Sequence, residues 1–219
     1  MRKPASSEHR EFHRRNLPHW YPKGAVLFVT TRLHGSLPTA RIAQLRTERD
    51  DRIHVLQQRS LAPAELERAL ADLHETFFLR YDGLLDRPTT GPRWLARPDI
   101  ATLWVDALRH FDGRLYTVIC STVMSNHVHF VFYRLTRSLP SIMQSLKGYT
   151  ARRANTILER PGQPFWQAES YDHIVRNRAS FRKIIAYVLH NPVEVGLVND
   201  WRAYPFNYLH PDFEQYLQS

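Results

Sequence analysis

Short apolar runs rich in β-branched and aromatic residues alternate along the chain with longer segments of helical periodicity. The runs at residues 25–31, 115–120, 127–133 and 171–175 predict β-strands. Met124–Asn126 lies between the second run and the third as a tight connection, which predicts that these two strands pair antiparallel.

The segments between these runs predict helices over residues 38–80, 99–111, 139–159 and 180–190, with Asp99 as the N-cap of the second. Asn191-Pro192 is expected to end the last helix, because proline disfavours helix at the preceding residue. Strands separated by helices, with one antiparallel neighbouring pair, predict an α+β fold in which helices pack on an antiparallel sheet.

The length of 219 residues and the 43% hydrophobic content are those of an ordinary globular protein, and we expect one domain over residues 1–219. No stretch is long and apolar enough to span a membrane, and the N-terminus lacks the apolar segment of a secretory signal. The single cysteine, Cys120, excludes an internal disulfide and a CxxC zinc site. We therefore expect a cytoplasmic protein without a membrane partner.

The charge narrows the choice of partner, because the chain has a formal net charge of +9 at pH 7. The excess is concentrated in residues 1–23, with six basic and two acidic residues, and in residues 141–190, with eight and three. This distribution favours a nucleic acid as partner, with a merely basic enzyme as the alternative. The N-terminal arm is expected to become ordered only on DNA.

His127 and His129 flank Val128 on a predicted strand. Residues i and i+2 of a strand point to the same face, so both imidazoles project together while Val128 points away. Imidazole pairs suit divalent metals. In a chain with 12 histidines, a chance pair without a ligand is the alternative.

Tyr187 and Asn191 are four residues apart on the last predicted helix and therefore share a face. Such a face could present a phenol nucleophile and a neutral oxygen ligand to one metal ion. The alternative is a core tyrosine, followed by an asparagine that closes the helix before Pro192.

Taken together, these elements resemble a known family. Met124–Val131 resembles the histidine–hydrophobic–histidine strand of single-tyrosine transposases, and Tyr187–Val198 resembles their nucleophile helix and the turn after it. The intervening segments are similar to REP-associated tyrosine transposases, which act on repetitive extragenic palindromes, at Ser145–Arg153, Phe165–Gln167 and Tyr171–Arg176. The similarity covers roughly residues 20–40 and 94–205, so residues 41–93 are expected to form a helical insertion.

The resemblance implies a ferredoxin-like core that cuts single-stranded DNA beside a hairpin. Tyr187 would attack the scissile phosphate and keep the 5′ side as a phosphotyrosine, leaving a free 3′-OH. His127, His129 and Asn191 would hold Mg²⁺ or Mn²⁺. Many relatives in insertion sequences have Gln at the position of Asn191, so the shorter amide must lie closer to the metal.

Tyr149 is the rival nucleophile, but position 153 is Arg and offers no amide one turn later, so we expect Tyr149 to pack. Six basic residues could contact DNA phosphates, although each could also simply line a solvated surface. They are Lys147, Arg152, Arg153, Arg176, Arg182 and Lys183.

Two functions are consistent with these patterns. The first is a tyrosine transposase that cleaves and joins single-stranded DNA hairpins of the REP type, acting as a monomer or homodimer. The second is a non-catalytic protein that binds nucleic-acid hairpins, such as a regulator that retains the fold. The presence of His127, His129, Tyr187 and Asn191 favours the first.

Overall fold

The computed structural model describes residues 24–86 and 90–217; the N-terminal arm predicted to order on DNA lies outside these residues. Within them, five strands form one sheet of order β4-β1-β3-β2-β5, and every pairing is antiparallel. The strands are β1 (Val26–Arg32), β2 (Thr117–Val123), β3 (His127–Tyr133), β4 (Tyr171–Val175) and β5 (Asn207–Leu209). Strands β1 to β4 follow the βαββαβ plan of ferredoxin-like folds, so the predicted α+β class is confirmed.

The helices of the described residues are α1 (Thr39–Gln57), α2 (Pro63–Asp86), α3 (Pro98–His110), α4 (Leu139–Ile157) and α5 (Arg178–Glu194). None of them is long and apolar enough to cross a membrane. Between β1 and α3, α1 and α2 pack against each other as an antiparallel pair, which we call the helical hairpin. An ion pair between Glu48 of α1 and Arg80 of α2, at 2.7 Å, joins the two helices.

Both faces of the sheet are covered. Helices α3 and α4 pack on one face, where alternate residues of β1 and β3 form an apolar core around the buried Trp104. Helix α5 packs on the other face, where Phe28 and Val131 contact Val188 and Leu189. The sheet is therefore a middle layer with buried side chains on both sides.

Asp99 does not cap α3, contrary to the prediction. Pro98 is the first helical residue, so the cap position falls on Arg97. Proline is well suited to the first turn because its fixed φ is helical and its missing N–H has no helical partner there. The Asp99 carboxylate instead accepts from the Ile100 amide at 3.0 Å and pairs with Arg97 at 2.7 Å.

Helix α5 does not end at Asn191-Pro192 as predicted; Pro192 lies inside it. The helix ends at Glu194, and Gly196, two residues later, has a φ of +75°, the left-handed conformation that favours glycine. The amide of Gly196 donates to the Val193 carbonyl and that of Leu197 to the Pro192 carbonyl, both at 2.9 Å. Proline has no N–H to donate at position 192, but the helix continues past it to this stop signal. Tyr187 and Asn191 therefore lie on one continuous helix.

Candidate metal and nucleophile site

The two histidines of β3 lie side by side on the α5 face of the sheet. Both side chains are fully buried, and their Nε2 atoms are 3.0 Å apart. Val128 between them belongs to the opposite core. The strand alternation expected from the sequence is therefore observed.

Hydrogen bonds at Nδ1 orient both imidazoles. The Asn126 side chain donates its amide hydrogen to the Leu85 carbonyl at 3.0 Å, which leaves its Oδ1 to accept from Nδ1 of His127 at 2.7 Å. Nδ1 of His129 lies 2.8 Å from the Thr30 hydroxyl. Because Nδ1 of His127 carries the proton, its Nε2 has a free lone pair, which is the arrangement that metal-ligating histidines adopt.

Two carboxylates of helix α2 lie beside the Nε2 atoms of the two histidines. Oδ2 of Asp82 lies 3.2 Å from Nε2 of His129, and Oδ1 of Asp86 lies 3.6 Å from Nε2 of His127. Neither residue was predicted from the sequence. Their spacing of four on one helix was the available signal, but carboxylates at that spacing are common on solvated helices.

Several buried oxygens of this cluster have no hydrogen-bond partner within the described residues. They are both carboxylate oxygens of Asp82, Oδ1 of Asp86 and Oδ1 of Asn191. Buried polar atoms are nearly always hydrogen-bonded, so unpaired oxygens gathered beside two imidazole nitrogens indicate a place for a cation. The donor set fits a divalent ion that accepts oxygen and imidazole ligands, such as Mn²⁺ or Mg²⁺.

Burial dominates the electrostatics of the cluster. It lowers the pKa of His127 to about 3 and that of His129 to about 4, so both imidazoles are neutral at neutral pH and can bind a metal. Burial also raises the pKa of Asp82 to about 7. The pKa of Asp86 rises to about 6 because of burial and the nearby Asp82 charge.

Tyr187 lies beside the histidines, with its ring centroid 5.6 Å from that of His129. The side chain is half-buried and lines a cleft of about 310 Å³ together with Asp86 and Glu194. One turn later, Asn191 is fully buried, and its Nδ2 lies 3.5 Å from Oδ2 of Asp86. The structure thus gathers Tyr187, Asn191 and both histidines at one end of α5.

The predicted DNA contacts on α4 lie on the other side of the sheet. Arg152 and Arg153 are exposed there. Lys147 donates from Nζ to the Gln167 carbonyl at 2.9 Å and to the Ala168 carbonyl at 3.1 Å, and burial lowers its pKa to about 8. The Lys147 ammonium group is therefore hydrogen-bonded within the protein, whereas Lys147 was predicted to contact DNA phosphates.

Tyr149 is 46% exposed, so the expectation that it packs is wrong. It follows Lys147 by two residues on α4, and this part of the helix turns Leu146 and Thr150, rather than Tyr149, inward. Since α4 and the histidines are on opposite faces of the sheet, Tyr149 is not part of the cluster.

The remaining predicted DNA contacts follow β4 or lie on α5. Arg176 is exposed and pairs with Glu67 of α2 at 3.0 Å. Arg182 and Lys183 are on α5, where Lys183 is exposed and lies one turn before Tyr187.

Residues 101–191, which include Tyr187, Asn191 and both histidines, match the family model described as "Transposase IS200 like". A comparison with curated proteins gives no match. The solved structure described as "Structure of the REP associates tyrosine transposase bound to a REP hairpin" has a TM-score of 0.46 and 16% sequence identity to this chain, and the alignment covers 87% of this chain and 80% of that one. Over residues 101–191 the chain is thus similar to the IS200-like transposases, and the resemblance to this group that its motifs predict is confirmed.

Proposed function

We propose that the protein is a metal-dependent enzyme that cleaves and rejoins single-stranded DNA at hairpins of the REP type, with Tyr187 as nucleophile. One observation carries the proposal. A tyrosine on a helix lies beside two buried imidazoles on a strand, 5.6 Å between ring centroids, and the segment that holds them matches the IS200-like transposase model.

His127, His129 and Asn191 would hold Mg²⁺ or Mn²⁺ through the two Nε2 atoms and the unpaired amide oxygen. A divalent cation bound there would act as a Lewis acid that stabilises negative charge on the scissile phosphate and so favours attack on phosphorus. The Asn126 side chain keeps His127 oriented for this role.

Tyr187 Oη attacks the phosphorus atom and forms a phosphotyrosine bond to the 5′ end of the fragment downstream of the cut. The bond from phosphorus to the 3′ oxygen breaks, the phenol loses its proton to water in the cleft, and the 3′ oxygen takes up a proton from water to become the free 3′-OH. Because one phosphodiester replaces another, the step is nearly isoenergetic, and a 3′-OH can reverse it without ATP.

The charge distribution supports a nucleic-acid substrate. Residues 141–190 carry eight basic and three acidic residues, and they include the exposed Arg152, Arg153 and Lys183. Contacts from these side chains to phosphates would release counterions, so binding should weaken steeply as salt rises. The resemblance to REP-associated transposases supports the folded hairpin, with its unpaired flanks, as the preferred DNA.

A covalent-adduct assay tests the proposal. A labelled DNA hairpin with single-stranded flanks is incubated with the protein and Mn²⁺, and SDS-resistant complexes are counted. We expect an adduct with the wild type and with Tyr149→Phe, the matched control on the other sheet face. No adduct is expected with Tyr187→Phe or in EDTA. Hairpin binding without any adduct would favour the non-catalytic binding protein, and a nucleotide on another tyrosine would overturn the assignment of Tyr187.

A further inference from the structure

The helical hairpin lies outside the segments that resemble the transposases, yet its second helix forms one wall of the site. Building on the proposed function, we propose that Asp82 of α2 is a carboxylate ligand of the same cation as His127 and His129. The helical hairpin is then a structural part of the metal site.

The positions of the ligand atoms support this assignment. One oxygen of Asp82 and one nitrogen of each histidine all lie within 4.8 Å of one another. Nε2 of His129 is 3.2 Å from the Asp82 oxygen and 3.0 Å from Nε2 of His127. Adjacent ligands of an octahedral ion with bonds of 2.0–2.1 Å are about 3 Å apart, so these separations suit a shared ion.

The described residues around Asp82 provide no hydrogen bond that would explain its buried carboxylate. The residue is 1% exposed, and neither of its oxygens has a hydrogen-bond partner within the described residues. An aspartate that stabilises a fold is normally paired with a cation or with several N–H donors. Here it faces two neutral imidazoles, and a metal ion satisfies all three groups at once.

Helix α2 is held in place on both sides of Asp82. The preceding residue, Tyr81, accepts at 2.7 Å from Nε of the buried Arg32 of β1. The Leu85 carbonyl accepts from Asn126, the residue that orients His127. These contacts tie α2 to the two strands that form the site, so Asp82 is positioned rather than free to swing away.

Asp86, one turn later, has different surroundings. It lines the cleft, and one of its oxygens lies 3.5 Å from the Asn191 amide nitrogen. That contact leaves the amide oxygen of Asn191 free to face the ion. We therefore assign the ligand role to Asp82 and treat Asp86 as a positioning residue for Asn191.

A carboxylate ligand also resolves a chemical mismatch. Two imidazoles alone favour softer metals, whereas Mg²⁺ and Mn²⁺ prefer oxygen. Asp82 adds a hard, negatively charged oxygen. The site then binds these ions in the absence of DNA, before any phosphate oxygen is present.

Metal binding to the full-length, DNA-free protein tests this. Mn²⁺ is titrated by calorimetry, and thermal melting is recorded with Mn²⁺ and with EDTA. We expect Asp82→Asn to raise the Kd for Mn²⁺ at least about tenfold and to reduce the Mn²⁺-dependent rise in Tm. The matched control is Asp72→Asn, an exposed carboxylate on the same helix, which should bind Mn²⁺ like the wild type.

The EDTA melts separate a ligand from a residue that merely stabilises the fold. In EDTA, Asp82→Asn should melt no lower than the wild type, because the change removes a buried carboxylate whose oxygens have no partner within the described residues. If Asp82→Asn binds Mn²⁺ with wild-type affinity, Asp82 is not a ligand, while the proposed role of Tyr187 in the adduct is unaffected. Absence of an adduct from wild-type protein that binds Mn²⁺ would instead count against the proposed function alone.

A thiolate substitution provides a second test, which does not depend on how an asparagine at position 82 affects folding or metal binding. Asp82→Cys should bind Cd²⁺ more tightly than the wild type does and show thiolate-to-cadmium charge-transfer absorption in the ultraviolet. The wild type is the control for Cys120, which is buried elsewhere in the α5 core. No gain in Cd²⁺ affinity in a folded Asp82→Cys protein would contradict the assignment.

Discussion

The two faces of the sheet differ sharply although the same strands build both. On the α3–α4 face, β1 and β3 contribute Leu27, Val29, Phe130 and Phe132 to a continuous apolar core. On the α5 face the same strands place the apolar Phe28 and Val131 towards one end and buried polar groups, Thr30, His127 and His129, towards the other. Residues that alternate along one strand thus pack an apolar core on one side and gather buried polar groups on the other.

The difference lies in how the buried polar atoms are grouped. On the α3–α4 face, the Trp166 indole N–H donates to the Thr150 hydroxyl at 2.8 Å, and the unpaired atoms of Trp104 and Asn155 belong to separate helices. On the α5 face, both oxygens of Asp82 and one of Asn191 have no partner within the described residues, and Asp82 lies beside two imidazole nitrogens. The second arrangement therefore suits a cation and the first does not.

The largest effect is expected at the histidines. His127→Ala or His129→Ala should abolish formation of the covalent adduct, because each removes one of the two imidazoles proposed to bind the cation. Hairpin binding should persist, since phosphate contacts elsewhere supply most of the affinity. Adduct formation and hairpin binding are measured on the same protein samples. Cleavage by either variant at the wild-type rate would remove the functional contrast between the two faces.

Phe130 is the matched position on the apolar face, next to His129 on β3 and fully buried. Phe130→Ala should lower the free energy of unfolding by about 3–5 kcal/mol, because it leaves a cavity beside Trp104. Urea denaturation measures the change. In EDTA, His129→Ala should cost clearly less; an equal loss would mean that both faces serve mainly to stabilise the fold.

A smaller loss is expected at the satisfied polar pair of the α4 face. Thr150→Val keeps the shape of the side chain but leaves the Trp166 N–H without its acceptor. The free energy of unfolding should fall by about 1–3 kcal/mol. Mn²⁺ affinity, measured by calorimetry, should not change. A loss of Mn²⁺ binding would show that the two faces are coupled through the sheet.

The smallest effect on stability is expected where the helical hairpin meets the rest of the chain at the surface. Arg176 and Glu67 form an exposed ion pair, so Arg176→Ala should change the free energy of unfolding by less than about 1 kcal/mol. If Arg176 also contacts DNA, the affinity of Arg176→Ala for a DNA hairpin should fall, and the salt dependence of this binding should become shallower. Filter binding at several salt concentrations measures both; unchanged binding would remove Arg176 from the DNA interface.

The sequence by itself determined the antiparallel strand pair, the common face of His127 and His129, and the shared helix face of Tyr187 and Asn191. These features depend on local periodicity, two residues for a strand and about 3.6 for a helix, which can be counted along the chain. The order of the motifs then indicated a resemblance to single-tyrosine transposases, and residues 101–191 match the IS200-like transposase model.

Only the tertiary structure decided that α2 contributes Asp82 and Asp86 to the cluster. Their contacts join residues more than 40 positions apart, and they depend on the path of the helical hairpin back over the sheet. The three-residue strand β5 was likewise set by its pairing with β2. For these residues the local pattern was weak, and packing and hydrogen bonding between distant segments outweighed local preference. The end of α5 is different, because the local hydrogen bonds around Gly196 stop the helix and Pro192 was a misleading local signal.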